Sequence, residues 1–190
     1  MKYLSVILVM IALVTQAQVP VRDVPADYGY IVKIGQQAPD FTAETPDGKT
    51  IRLSDLKGRV VMLQFTASWC SVCRKEMPHI EKDIWQKHKN NPDFALFGVD
   101  LDEPKEVVEK YTKQIPVTYP VLLDPKGKIF YSYAEKGAGV TRNVIIDPSG
   151  KIVFMTRLYK EEEFEEMKEV IESLLPASAK GGEEKKPTKN

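Results

Sequence analysis

Cys70 and Cys73 are the only cysteines in a chain of 190 residues, and they stand as C-x-x-C. A disulfide closing so small a loop removes little entropy from the unfolded chain, so it is a poor staple. Its use is chemical rather than structural. From Cys70 onward apolar residues recur at Cys73, Met77, Ile80 and Ile84, the spacing of one face of a helix ending near Lys89. A helix beginning at the first cysteine puts the two sulfurs about one turn apart, within reach of a disulfide. Cys70 then lies where backbone N–H groups lack partners and the helix dipole is positive, which favours thiolate over thiol. Cys73 shares the face of Met77 and Ile80 and is expected to be the more buried. Cys70 is therefore expected to attack a partner disulfide and Cys73 to resolve the mixed disulfide.

A metal site built from the same thiols with His79 and His88 is the competing use of these residues. All four fall on one helix, with His79 about 9 Å along the axis from Cys73. A straight helix cannot converge them on a tetrahedral zinc, so no metal is expected. Each histidine reads as a partly exposed helix residue.

The helix needs a rigid launching point. Residues 60–65 (VVMLQF) form a near-continuous apolar run, the mark of a central strand buried on both faces. Ahead of it, 38–41 enters a short strand, 46–49 is a turn, 50–53 a second strand and 54–58 a turn or short helical piece. After the helix come a strand at 94–99 and a helix at 104–112 opening on Pro104. A connecting unit follows at 121–123 and 130–133. A strand at 144–146 then turns through 147–150 into a partner at 152–156, and a last helix spans 160–175. Pro78 lies inside the thiol helix and should kink it. Trp85 and Tyr111 read as packing residues, and the acidic run around Glu161, Glu162 and Glu163 as a solvated helix start.

Lys plus Arg and Asp plus Glu each total 27, so the formal net charge is zero, and 43% of the residues are hydrophobic. That balance gives no support to nucleic acid as a partner, and the apolar share suffices for a core without a disulfide framework. Tyr3 to Val14 is an apolar run of signal-peptide size with small residues at Thr15 and Ala17, and cleavage is expected after Ala17. An uncleaved anchor is the alternative, although a spanning helix wants about 20 apolar residues. The expected organisation is a signal peptide at 1–17, an irregular lead-in at 18–33, one domain at 34–175 and a disordered polar tail at 176–190. Export to the periplasm or beyond follows.

The segments IGQQAPDF, VVMLQFTASWCSVCRKEMP, YPVLLDPKGKIF and VIIDPSGKIV resemble the thioredoxin superfamily, in particular its TlpA/ResA-like periplasmic thiol–disulfide oxidoreductases. The resemblance covers about Ile34 to Leu175. It implies an α/β thioredoxin-like fold, a central mixed sheet flanked by helices, with an N-terminal β extension and a βα-type insertion. It implies Cys70 as nucleophile, Cys73 as resolving thiol, Trp69 and Pro78 as flanks, and Glu76 at the position where some members carry a proton-transferring Glu. A solvated helix residue is the other reading of Glu76. The dithiol is the redox cofactor, with no metal, flavin or nucleotide. Protein thiols and disulfides and an electron donor are the expected partners of a monomer, with reduction the expected direction.

Departures from the family pattern are as telling. Ser71 and Val72 separate the cysteines where a Pro-containing pair is usual, which should alter the redox poise. Gln64 stands where thioredoxins proper carry a buried Asp, and reads as a satisfied core polar residue. Thr141 replaces the usual cis-Pro, and Val140–Thr141 is expected to be trans because a non-Pro cis bond costs about 3–4 kcal/mol. Thr141 still offers a hydroxyl and an N–H towards Cys70. Arg142 lies in GAGVTRN, a loop similar to one in peroxiredoxins that places an Arg beside the thiolate; a surface Arg is the other reading. A peroxiredoxin-like peroxidase is one rival, weakened by Ala67 three residues before Cys70, where a Thr is needed. A non-catalytic binding module is the other.

Overall fold

The computed structural model describes residues 24–176. The expected signal segment lies outside them, as does the polar tail beyond Pro176. The chain opens with the hairpin strands β1 (Thr42–Glu44) and β2 (Thr50–Arg52), then β3 (Val60–Thr66) and α1 (Ser71–Ile80). A π-helical stretch, Glu81–Trp85, joins α1 to α2 (Gln86–His88). β4 (Phe94–Leu101), α3 (Lys105–Gln114), β5 (Val121–Asp124) and α4 (Phe130–Tyr133) follow. β6 (Arg142–Ile146), β7 (Ile152–Arg157) and α5 (Glu161–Leu174) complete the order.

The strands form one mixed sheet in the order β2-β1-β5-β4-β3-β6-β7. β3, β4 and β5 are parallel, joined by the α1 and α3 crossovers; β6 runs antiparallel to β3, and β7 antiparallel to β6 at the sheet edge. Every residue of β3 is buried, as the apolar run predicts for a strand covered on both faces. Strand alternation divides the core in two. Val61, Leu63, Phe65 and Val144 face Phe41, Phe130 and Tyr133. Met62 and Ile145 face Met77 and Ile80 of α1, Tyr111 of α3, and Phe164 and Met167 of α5. Truncating a fully buried Leu such as Leu63 to Ala costs about 2–5 kcal/mol, so the sheet is a stiff platform for what it carries.

One expectation needs correction at α5. Glu161 and Glu162 are exposed, but Glu163 is buried, accepting the Tyr28 hydroxyl and pairing with Lys160 at 3.0 Å. The cause is tertiary: the N-terminal segment crosses the start of α5 and supplies a phenol to a carboxylate that the helix alone leaves in water.

Candidate functional site

β3 ends at Thr66, and residues 67–69 turn the chain into α1 with Cys70 as the N-cap. Cys70 has an extended backbone, and its sulfur accepts the Cys73 N–H at 3.1 Å. The two sulfurs are joined in a disulfide with Cα atoms 5.3 Å apart. Cys70 keeps 6% of its surface and Cys73 none, while Trp69 beside them is 64% exposed. Ser71 is exposed and Val72 half-buried. When the disulfide is opened, the Cys73 N–H and the helix start lower the energy of a Cys70 thiolate.

Thr141 lies directly across from the pair. Its Oγ1 is 3.3 Å from Cys70 Sγ and 3.0 Å from Cys73 Sγ, so one hydroxyl serves both sulfurs. The Val140–Thr141 bond is cis, correcting the expectation of trans. The preference of an isolated peptide does not decide here, because a contact from the chain beyond β7 holds the residue after the bond and a brace within the loop holds the residue before it. The Leu158 N–H donates to the Thr141 carbonyl at 2.9 Å, and Arg142 Nε donates to the Gly139 carbonyl at 2.8 Å.

Strand parity then places the next residues. Asn143, two positions beyond Thr141, faces the same layer and meets Glu76, which lies one helical turn beyond Cys73. Asn143 Nδ2 donates to Glu76 Oε1 at 2.7 Å and to Thr156 Oγ1 at 2.9 Å. Gln64 Nε2 donates to Glu76 Oε2 at 3.3 Å, and Gln64 Oε1 accepts the Tyr119 hydroxyl at 3.0 Å. Glu76 is only 2% exposed, so it is not a solvated helix residue. Burial pushes its carboxyl from 4.5 up to about 7, against the pull of the two amide donors. Gln64 is the satisfied core amide the strand pattern suggests. Sulfur, hydroxyl, amide and carboxyl thus line up where α1 crosses β6.

Arg142 falls between Thr141 and Asn143 and so points to the opposite face. It is 1% exposed, not a surface residue, with its guanidinium 4.7 Å from the Tyr30 ring centre and 6.0 Å from that of Phe130. Ala67, three residues before Cys70, is buried, and the Thr66 hydroxyl turns away to Tyr111 at 2.9 Å. Pro78 sits half-buried inside α1, just ahead of the π-helical stretch. Sequence reading passed over Asn143 and the buried Asp100. Each lies one residue outside the strand read from the apolar run, at 94–99 and at 144–146, and only the longer strands of the structure take them in. Among the described residues, no group of three or more His, Cys, Asp or Glu is placed to hold a metal ion. No helix among them is long and apolar enough to cross a membrane.

A mixed sheet with C-x-x-C at the head of the helix after its central strand, faced by the residue before an antiparallel strand, defines a thioredoxin-fold dithiol protein. The chain belongs to the AhpC/TSA family, whose pattern matches residues 34–155. It is 62% identical to a candidate protein disulfide isomerase from Bacteroides thetaiotaomicron, with a TM-score of 0.76 over 77% of this chain and 92% of that one. A candidate thiol:disulfide interchange protein DsbE from Chlorobium tepidum is 30% identical, with a TM-score of 0.65 over 75% of this chain and 99% of that one. A thiol–disulfide oxidoreductase ResA of Bacillus cereus is 36% identical over 54% of this chain. The match spans 58% of that relative's length and 62% of its Bacillus thuringiensis counterpart's.

Proposed function

We propose that the protein is a thiol–disulfide oxidoreductase acting on protein thiols and disulfides, with Cys70 attacking and Cys73 resolving. The observation that carries this reading is the unequal burial of two bonded sulfurs at a helix N-terminus, both within reach of one Thr141 hydroxyl. In the reducing direction the Cys70 thiolate attacks a substrate disulfide, forming a mixed disulfide and expelling one substrate thiolate. Cys73 then gives up its proton and attacks Cys70 Sγ, expelling the second substrate thiolate and leaving the Cys70–Cys73 disulfide. The substrate gains two electrons, and a separate thiol donor restores the dithiol. Glu76 is the proton acceptor of the second step, one helical turn from Cys73 and ionising near neutrality. Trp69, Ser71 and Val72 form the rim that meets the substrate, and Val140 and Thr141 guide its backbone. Arg142 braces that loop through the Gly139 carbonyl, and Pro78 shapes the helix beneath.

The protein works as a monomer, as a reductant, in the periplasm or outside the cell. Support for this placement is the apolar run at 3–14 followed by small residues. The single domain spans 34–175, between a lead-in at 18–33 and a polar tail. A peroxidase is disfavoured by Ala67 and by the turn of Arg142 away from the thiols. Cys70→Ser is expected to abolish reduction of a model protein disulfide, and Cys73→Ser to trap mixed disulfides with partners. Equal loss in both variants with no trapped species refutes the assigned roles. A redox potential of about −270 mV, thioredoxin's own, supports the reductant direction, whereas one of about −120 mV marks an oxidant.

A further inference from the structure

Ser68, two residues before Cys70, is gripped at three points. Its N–H donates to Glu103 Oε2, its hydroxyl donates to Glu103 Oε1 at 2.6 Å, and its carbonyl accepts Arg74 Nε at 2.9 Å. A carboxylate that binds both the backbone and the side chain of one residue fixes its orientation as well as its position. The turn from β3 into α1 is thereby held from outside the turn, by the segment that follows β4.

Asp100 lies next to this grip. It pairs with Thr66 in the β3–β4 register and is fully buried, and among the described residues no donor reaches either carboxyl oxygen. The group that faces it is the Glu103 carboxyl. Burial first, then Glu103, then the charge of Asp124 push Asp100 from 3.8 up to about 8. With that carboxyl beside it, Asp100 keeps its proton through neutral pH. Protonated Asp100 donates to Glu103 and leaves the remaining Glu103 lone pairs for Ser68.

The other titratable groups facing this pair are few. Asp124 of β5 is occupied by the Ile129 and Phe130 N–H groups, each at 2.8 Å. Tyr111 of α3 bonds the Thr66 hydroxyl, and its phenol is pushed up to about 12, chiefly by burial. Arg74 of α1 lies 4.9 Å from the Tyr111 ring centre. Asp102, just past β4, takes the Lys126 N–H at 2.6 Å.

We propose that Glu103 is a positioning residue of the dithiol site, holding the segment from Ser68 to Cys70 in place, and that the proton on the neighbouring Asp100 switches this hold. When Asp100 loses that proton, two adjacent carboxylates repel, Glu103 turns outward, and Ser68, Trp69 and Cys70 loosen together. The consequence for reactivity rests on Cys70 being the attacking sulfur, whereas the hold itself does not.

The test uses the full chain in its disulfide form, where no thiol titrates. Trp85→Phe leaves Trp69 as the reporter, since the chain has two tryptophans. Trp69 anisotropy is expected to fall across a transition at about pH 8. Asp100→Asn, which donates an amide N–H at every pH, and Glu103→Gln are both expected to abolish the transition, and Glu76→Gln to retain it. In the reduced protein, Glu103→Ala is expected to slow the reaction of Cys70 with a small aromatic disulfide about tenfold at neutral pH, with partial rescue by Glu103→Gln. A transition that persists in Glu103→Gln, or its absence from the parent, overturns the proposal. Glu103→Gln carries the test alone should Asp100→Asn not fold. A transition that appears while the reaction rate ignores it leaves the hold standing and counts against Cys70 as the attacking sulfur.

Discussion

Glu76 and Asp100 are both buried carboxyls on the face of the sheet covered by α1, α3 and α5, one facing β6 and the other within β4, on either side of β3. Burial raises both, Glu76 to about 7 and Asp100 to about 8. Their neighbours make them different devices. Glu76 faces two amides, Asn143 and Gln64, which donate to its charged form and leave it able to ionise near neutrality. Asp100 faces a second carboxyl and keeps its proton into the alkaline range. Burial therefore yields a proton acceptor where amides wait and a proton-locked hold where another acid waits.

The largest test of this contrast is the dependence of stability on pH. Both groups have folded values above their unfolded ones, so the native state binds protons more tightly than the unfolded state. Their stabilisation is fully present below about 4 and is lost as pH rises through about 7 for Glu76 and about 8 for Asp100. At ~1.4 kcal/mol per pH unit, the interval from 4.5 to about 7 amounts to about 3 kcal/mol for Glu76 alone. Denaturant midpoints should accordingly be lower in mildly alkaline than in mildly acidic buffer. Glu76→Gln should flatten the slope only up to about pH 7, whereas Asp100→Asn should flatten it all the way to about pH 8; identical slopes in both variants would erase the distinction.

A somewhat smaller effect is expected in the chemistry. Glu76→Gln should slow resolution of the mixed disulfide by about 10²-fold, the lower end of what a positioned general base contributes. Stopped-flow release of the substrate thiol measures this, and an unchanged rate assigns the proton to water. The smallest effect belongs to the residue between the two sulfurs. Thr141→Val removes one hydroxyl shared by both, worth about 1 kcal/mol. The redox equilibrium with glutathione should move by up to about tenfold, and no shift at all would reduce Thr141 to a spacer.

Much of this protein was legible one element at a time. The C-x-x-C spacing, the helical recurrence from Cys73 to Ile84 and the apolar run of β3 are local patterns, and local patterns report the element that carries them. Fold class, the order of elements and the head-of-helix placement of Cys70 follow from the sequence by itself. The cis geometry at Val140–Thr141 does not, because the Thr141 carbonyl is taken by Leu158 from beyond β7, which no local pattern announces. The burial of Glu76 depends on Asn143, that of Glu163 on Tyr28, and the grip on Ser68 on Glu103. Each joins residues dozens of positions apart, so only packing brings them together. A charged side chain carries no mark of whether water, an amide or another acid will face it; that neighbour, supplied by the tertiary structure, sets its proton affinity and hence its role.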